Sequence, residues 1–516
     1  MRTRLKEINV VKKNVGKDTI RVALLYPSYY EVAASSLAYQ MLYYFLNSYR
    51  EVYAERFVLS DDFYQPGIYS IETGSSLKDF DLVVVSVHYE PDLVNILKMF
   101  IKGGISPFSE KRKGKPIVIA GGPPIISNPI PVSKFIDVLV AGEIESIMPF
   151  FMEKFFEYID NPIGLLESLP PSKGFYVPSI SVSERVFINY AENLDEKFHP
   201  IAQFRPAERK RGWIDATLIE ASRGCFRMCS FCMEGHIFSY MRERCLEQIL
   251  RIAEGGRRLN MTDKVSIVSL SFFDHNMSDR ILEELVSRGF KVSIPSLRAE
   301  TLNEHRLDLM KKAGQKTVTI APETGSFRLA LYIRKLIRED VAIEVAKMAK
   351  KKGFSGLKMY FMVGLPGETL EDLDRTVEYI RRVSEYSGFK GVRELKITVS
   401  PLVPKPHTPL ERIPWIGLDE ARKRIMYIKK KLRGLADVRE YDPRWAMIQT
   451  VISRGDRQLS GFLLQWALEG GTLGGWRKAL RKTGFNVERY LGYIDGELPW
   501  KIIAVPSKPR IKRASC

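Results

Sequence analysis

Between residues 21 and 145 the chain alternates short, wholly apolar runs with longer stretches whose apolar positions fall three or four apart. The runs RVALLYP, DLVVVSVHY, PIVIAGG and DVLVAGE are rich in β-branched residues and show little polar alternation, as strands buried on both faces do. Helical spacing over 33–46 and 91–102 lies between them. The pattern predicts an α/β, doubly wound (Rossmann-like) domain over residues 1–158.

Prolines and charges then accumulate in DNPIGLLESLPPSKG and FRPAERKRGW, which predicts a connector over 159–212. From residue 217 the alternation resumes, with six strand candidates: TLIEAS, VSIVSL, VSIPSL, TVTIAP, LKMYFMVG and LKITVS. Helical patterns over 279–288, 302–313, 340–352 and 370–385 separate them. Six βα units in series predict a partial (β/α)6 barrel over 213–414, with function at the C-terminal strand ends. The remainder, 415–516, has helical spacing over 418–434 and 460–470 around Arg454-Gly455-Asp456-Arg457, and predicts a small, mostly helical C-terminal domain.

A length of 516 residues suits several domains, and 45% hydrophobic with 27% charged residues suits a folded chain. No apolar run reaches the ~20 residues that cross a bilayer, and the first residues lack the apolar segment of a secretory signal. The expectation is a cytoplasmic protein. A net charge of +18 invites a polyanion such as RNA, or reflects a lysine-rich solvated surface.

Five cysteines do not make a disulfide framework, yet three of them fall within CFRMCSFC, at Cys225, Cys229 and Cys232. They lie just after the first strand of the predicted barrel. A structural zinc site needs four ligands, and Cys245 is the candidate for a fourth, or else the start of the helix LEQILRIAEGG. A [4Fe–4S] cube held at three corners instead leaves one iron open for an exogenous ligand.

CFRMCSFC has the C-x3-C-x2-C spacing of the radical S-adenosylmethionine enzymes, with Phe231 as the aromatic residue before the third cysteine, and the chain resembles that family. EASRGCFRMCSFC, SIPSLRAETL, TIAPETGSFRLALYIRK, MYFMVGLPGET and VSPLVPKPHTPL are similar to its strand-end segments. The N-terminal YPSYYEVAASSLAYQMLYYFLN, AGGPPIISNP and VLVAGE, and the later VISRGDRQL and ELPW, resemble a subgroup with a cobalamin-binding-like domain before the barrel.

The resemblance implies a [4Fe–4S] cluster on Cys225, Cys229 and Cys232 as metal ligands, with S-adenosylmethionine on its open iron. One electron from an external donor of the ferredoxin or flavodoxin type then generates a 5′-deoxyadenosyl radical. Ser296 and Arg298 are similar to the family's ribose and carboxylate contacts, Glu323 to a polar cofactor contact, and Gly364 to the turn beside the adenine. The family's Gly-Gly-Glu is replaced by SLSFFDH, where Asp274 or Ser271 can stand in for the contact to the methionine amino group.

His236, His275 and His407 are candidates for acid–base or structural roles, and Tyr240, Arg242 and Arg244 face substrate or form a solvated helix entry. The cobalamin-ligating Asp-x-His-x-x-Gly motif does not occur in residues 1–145, whose lone histidine is His88, while Gly121-Gly122 suits a nucleotide-tail pocket. Cobalamin therefore enters as an optional cofactor, and a cobalamin-dependent methyltransferase as one alternative function. A tRNA-modifying methylthiotransferase would carry three further N-terminal cysteines, and none precedes Cys225. A non-catalytic, metal-containing RNA-binding protein is the third reading.

Overall fold

The computed structural model describes residues 6–60, 67–180, 184–208, 213–295 and 297–514. Ser296 lies outside the described residues. The chain divides into two compact units.

The first unit comprises Met1–Asp215, Val451–Tyr490 and Gly496–Pro506. Its sheet is built from β1 (Ile20–Tyr29), β2 (Val52–Leu59), β3 (Leu82–Ser86), β4 (Ile117–Gly121), β5 (Val138–Val140) and β6 (Phe175–Tyr176). The spatial order is β2-β1-β3-β4-β5-β6, with the first five strands parallel and β6 antiparallel to β5. Continuous burial of Leu82–Val85 and Ile117–Ala120 explains why these strands read as unbroken apolar runs. The chain winds in opposite directions on either side of β1, which opens a crevice at the C-terminal ends of β1 and β3. Gly121 and Gly122 have a packing reason. A Cβ on Gly121 would lie 2.7 Å from Val140 Cγ2, and one on Gly122 would lie 1.9 Å from the Val87 carbonyl oxygen.

The expected separate C-terminal helical domain does not form one unit. Helix Leu459–Leu468 packs on helix Leu93–Lys102 beside the first sheet. Asn128 Nδ2 donates to the carbonyls of Ser453 (3.0 Å) and Gly455 (2.8 Å), and Ser460 Oγ donates to that of Pro131 at 2.9 Å. An apolar helix with mean burial this high needs a partner surface, and the first unit supplies it. The stretch 159–208 likewise belongs to this unit.

The second unit comprises Ala216–Thr450, Leu491–Asp495 and Ser507–Cys516. It contains β7 (Thr217–Glu220), β8 (Lys264–Val268), β9 (Lys291–Ser293), β10 (Thr317–Glu323), β11 (Gly356–Val363), β12 (Leu395–Pro401) and β13 (Asp437–Glu440). Every pairing is parallel: β7-β8-β9 form one ladder, β10-β11-β12-β13 another, and a parallel bridge between Leu297 and Ile320 joins them. Helices Leu246–Leu259, Ser278–Ser287, Glu304–Lys312, Glu339–Lys351, Leu370–Ser387 and Leu418–Lys431 fill the connections. Such serial βα units place all C-terminal strand ends on one rim, as a partial barrel does. Six strands coincide with the six apolar runs. The seventh, β13, falls in the region expected to be helical. Its sequence DVRE carries no apolar signal, and backbone pairing with β12 defines it.

Candidate active site at a three-cysteine loop

Beyond β7 the chain forms a short strand, Ser222–Arg223, and enters the cysteine loop through Gly224. Gly224 has a φ of +87°, and a Cβ there would sit 2.2 Å from Tyr240 O and 2.7 Å from Phe238 O. No other residue fits this left-handed, backbone-crowded position. The loop returns through helix Met233–Ile237 to strand Tyr240–Glu243, which pairs antiparallel with Ser222–Arg223. Cys225 N donates to Phe238 O at 2.9 Å and Cys232 N to Cys229 O at 3.1 Å. Cys232 caps the helix, its Sγ accepting from Gly235 N at 3.4 Å.

Burial pushes the Cys225 thiol up and that of Cys232 up to about 12, and each is further raised by the neighbouring cysteines. Thiols so desolvated stay protonated until a cationic centre displaces the proton, so metal loading here releases protons. Donors already face the sulfurs: Arg227 N–H toward Cys225, Gly235 N–H toward Cys232, and Arg298 Nη1 at 3.7 Å from Cys229 Sγ. Hydrogen bonds to sulfur are the means by which a protein offsets the negative charge of an iron–sulfur cluster. Among the described residues, no three His, Cys, Asp or Glu side chains gather as a site for a single metal ion. Cys245 is the N-cap residue of helix Leu246–Leu259, and its Sγ lies 3.0 Å from Glu247 Oε2. Three thiols on one loop with N–H donors toward their sulfurs, and Cys245 turned to Glu247, fit a [4Fe–4S] cluster held at three corners.

Segments beyond four strands, β8, β10, β11 and β12, hold the loop. Asp274, beyond β8, receives Arg227 Nε at 2.9 Å and also Arg227 Nη2, so its carboxylate is tied to the loop. Ser230 N donates to Ile333 O at 2.9 Å and its Oγ to Tyr332 O at 3.1 Å. Phe231 packs on an apolar cluster of Leu329, Ile333, Met362, Leu365, Leu402 and Leu410 at the ends of β10, β11 and β12.

Arg298 joins the site through Cys229, and its Nε donates to Glu300. Glu323 closes β10 at a bulge with φ of +70°, a strained conformation that turns its carboxylate onto Lys335 Nζ at 2.6 Å. Lys335 Nζ in turn sits 5.7 Å from the Phe231 ring centre. Gly364 (φ +83°) follows β11; its N–H donates to Glu368 Oε2 at 2.7 Å, and Arg424 Nη1 holds the same oxygen at 2.7 Å. The cysteines, Phe231, Asp274, Arg298 and Glu323 are thus linked by contacts. Gly364 shares the rim through Leu365.

The other candidates resolve structurally. His275 Nε2 lies 3.0 Å from Arg244 O while its Nδ1 accepts from Met277 N at 3.0 Å, so both ring nitrogens are used internally. His236 Nε2 lies 3.2 Å from Cys229 O and orients the loop. His407 is a buried residue with φ of +61° beyond β12. The stretch from Tyr240 to Arg244 is buried and lies in and just after a strand; it is not a solvated helix entry, because Arg244 Nε donates to Glu220 O at 3.0 Å. Sequence reasoning missed Arg227, Lys335 and Gly224. Only the glycine, directly before the first cysteine, left a local signal.

An all-parallel βα arc with three thiols on the loop after its first strand defines an iron–sulfur enzyme of the radical type. Residues 219–380 match the Radical SAM superfamily, and residues 38–178 match the N-terminal region of radical SAM proteins. An uncharacterised protein of Methanocaldococcus jannaschii is 32% identical over 485 residues, covering 93% of this chain and 98% of that one. An uncharacterised methyltransferase of Pyrococcus horikoshii is 26% identical over 327 residues, 60% of this chain and 68% of the relative. The fold is similar to that of the radical S-adenosylmethionine methyltransferase TsrM of Kitasatospora setae, solved with tryptophan and a SAM analogue, at a TM-score of 0.50 and 14% identity over 76% of this chain and 75% of that one. The chain belongs to the radical S-adenosylmethionine superfamily and is an enzyme, and the family implies a [4Fe–4S] cluster and S-adenosylmethionine. Among the described residues no helix is long and apolar enough to cross a membrane.

Proposed function

We propose that Cys225, Cys229 and Cys232 hold the cluster and that the enzyme abstracts hydrogen from an unreactive carbon of its substrate. When bound, the cluster supplies one electron to the sulfonium of S-adenosylmethionine, giving methionine and a 5′-deoxyadenosyl radical. The observation that carries the reading is the half-buried three-thiol loop with N–H donors aimed at its sulfurs. Arg298, already against Cys229, places a positive charge where the methionine carboxylate belongs. Glu323 offers an acceptor for a ribose hydroxyl or the ammonium, with Lys335 setting its orientation. Gly364 leaves room beside the adenine, and Ser296, two residues before Arg298 in the sequence, is assigned the ribose contact by the family resemblance. Asp274 positions the loop through Arg227, and the lone pairs this leaves make it the proposed contact for the methionine amino group. Phe231 and the apolar cluster under it exclude water from the reacting centre.

The test uses anaerobically purified, cluster-reconstituted protein with S-adenosylmethionine and dithionite. Formation of 5′-deoxyadenosine is expected; an intact cluster that neither binds nor cleaves S-adenosylmethionine defeats the reading.

A second reading, cobalamin-dependent methyl transfer, is favoured by the strand order of the first unit. Beyond β1 and β3 the His88 ring stacks on Tyr26, with ring centroids 5.5 Å apart. His88 Nε2 lies 3.1 Å from Ser86 Oγ and 3.4 Å from Ser36 Oγ. Desolvation holds the His88 imidazole down to about 4. A neutral, hydroxyl-bearing crevice fits a corrinoid, with Ser36, Ser86 and His88 as its polar contacts. Retention of corrinoid by the purified protein together with formation of S-adenosylhomocysteine supports methyl transfer; absence of both removes it.

A further inference from the structure

Reductive cleavage consumes one electron per turnover, and that electron must reach a half-buried cysteine loop from outside. Resting on the radical reading above, we propose that the exposed strand at the end of the second unit is the docking surface for an acidic, one-electron donor protein.

Position is the first ground. Strand Arg510–Lys512 pairs parallel with Tyr240–Glu243, the return strand of the cysteine loop. Arg510 N donates to Ser239 O at 3.0 Å, and the adjacent Phe238 O accepts from Cys225 N at 2.9 Å. Two hydrogen bonds and one peptide unit therefore connect an exposed strand to the first cysteine. An electron entering here has a short, continuous bonded path to the cluster.

The second ground is how the strand is held. Arg513 Nη1 donates to the fully buried Glu243 carboxylate and to Asp274 O, and Ala514 N donates to Glu243 Oε2 at 3.1 Å. Asp274 is the residue that grips Arg227 in the loop. The strand is thus fixed to the same framework as the cysteines, which keeps its outer surface at a constant distance from them.

Charge is the third. Residues 507–513 are all exposed, and 507–514 carry Lys508, Arg510, Lys512 and Arg513 with no acidic residue. Arg513 is neutralised by Glu243, while Arg510 and Lys512 share one face by the two-residue period of a strand. Ile511, 44% exposed, lies between them in sequence and points to the opposite face of the strand. An exposed segment carrying Lys508, Arg510 and Lys512 with no acidic residue beside them suits a small acidic protein that must dock briefly, by steering, and leave. In the step itself, the donor's reduced centre loses one electron, and the cluster on Cys225, Cys229 and Cys232 gains it. No atom moves.

The test compares the wild type with the double variant Lys508→Glu/Lys512→Glu, using reduced flavodoxin as the probe. Lys508 and Lys512 contact none of the residues placed in the cofactor site. First, the dissociation constant for flavodoxin is measured directly at low and high salt, without S-adenosylmethionine. The variant is expected to bind about 10-fold more weakly at low salt, with the difference shrinking as salt screens it. Second, flavodoxin-supported cleavage at limiting donor should fall in step, while dithionite-supported cleavage and iron content stay at wild-type levels. Unchanged flavodoxin affinity overturns the proposal. A parallel fall in the dithionite rate or iron content overturns it too, because the strand would then serve loop integrity. So does a variant that keeps flavodoxin affinity and loses binding to a generic tRNA. If the wild type fails with dithionite, the radical reading fails instead, and the direct binding result still stands on its own.

Discussion

Gly224→Ala tests whether the geometry of the cysteine loop, and not merely its thiols, governs cluster assembly. The new Cβ would fall 2.2 Å from Tyr240 O and 2.7 Å from Phe238 O, against backbone that cannot rotate away. Holding an L-residue at φ +87° costs roughly 1–2 kcal/mol. Relieving the contact needs a shift of about 1 Å between Ser222–Arg223 and its return strand, breaking the Cys225 N to Phe238 O bond for about 1 kcal/mol more. The sum, about 3 kcal/mol, is a hundredfold shift toward a displaced loop. Gly289→Ala is the control, since φ is +80° there but nothing lies within 4 Å of the added carbon. Iron and sulfide content after reconstitution, with circular dichroism to confirm folding, reads the outcome. The expected result is a folded G224A protein depleted in iron and a G289A protein with full iron and a small stability loss. Full iron and unchanged S-adenosylmethionine cleavage in G224A would refute the argument that this crowded turn sets the loop.

Replacing any one of Cys225, Cys229 and Cys232 with Ala should abolish iron–sulfur absorption, whereas Cys245→Ala should keep it; loss of the cluster on Cys245→Ala would mean four protein ligands. Glu323→Gln removes the 2.6 Å ion pair with Lys335 and should weaken S-adenosylmethionine binding about 10-fold with the iron retained, as measured by equilibrium titration. An unchanged affinity would discard Glu323 as a cofactor contact. In the first unit, burial raises the Asp92 carboxyl to about 7, against the opposing hydrogen bond from Asn95 and with the Glu90 charge adding. Because the folded value lies above the ordinary one, the penalty is absent below about pH 4 and grows as pH rises toward 7. Asp92→Asn should therefore raise the melting temperature relative to wild type at pH 8, by roughly 1–3 kcal/mol of stability, and by much less at pH 4.5. An equal difference at both pH values would show that Asp92 is not held protonated.

Local pattern settled much of this protein. Strands buried on both faces have to be apolar along their length, so β1, β3 and β4 were legible as runs, while β8, β9, β10 and β12 alternate buried with more exposed positions and were legible by that period. The spacing of Cys225, Cys229 and Cys232 was legible too, because a three-cornered cluster demands thiols a few residues apart. What tertiary structure decided has a common cause: it depends on partners distant in sequence. β13 is a strand through its pairing with β12, since DVRE has no apolar period to betray it. Helix Leu459–Leu468 belongs with the first sheet because helix Leu93–Lys102 is there to cover it. Asp274 read as a cofactor contact by position, and the fold adds its ion pair with Arg227, 47 residues away. The basic strand at 510–512 is an unremarkable polar stretch until its pairing sets it beside the cysteine loop. Periodicity reports which face of an element is buried; which element buries it, and which charge answers which, is written only in the folded chain.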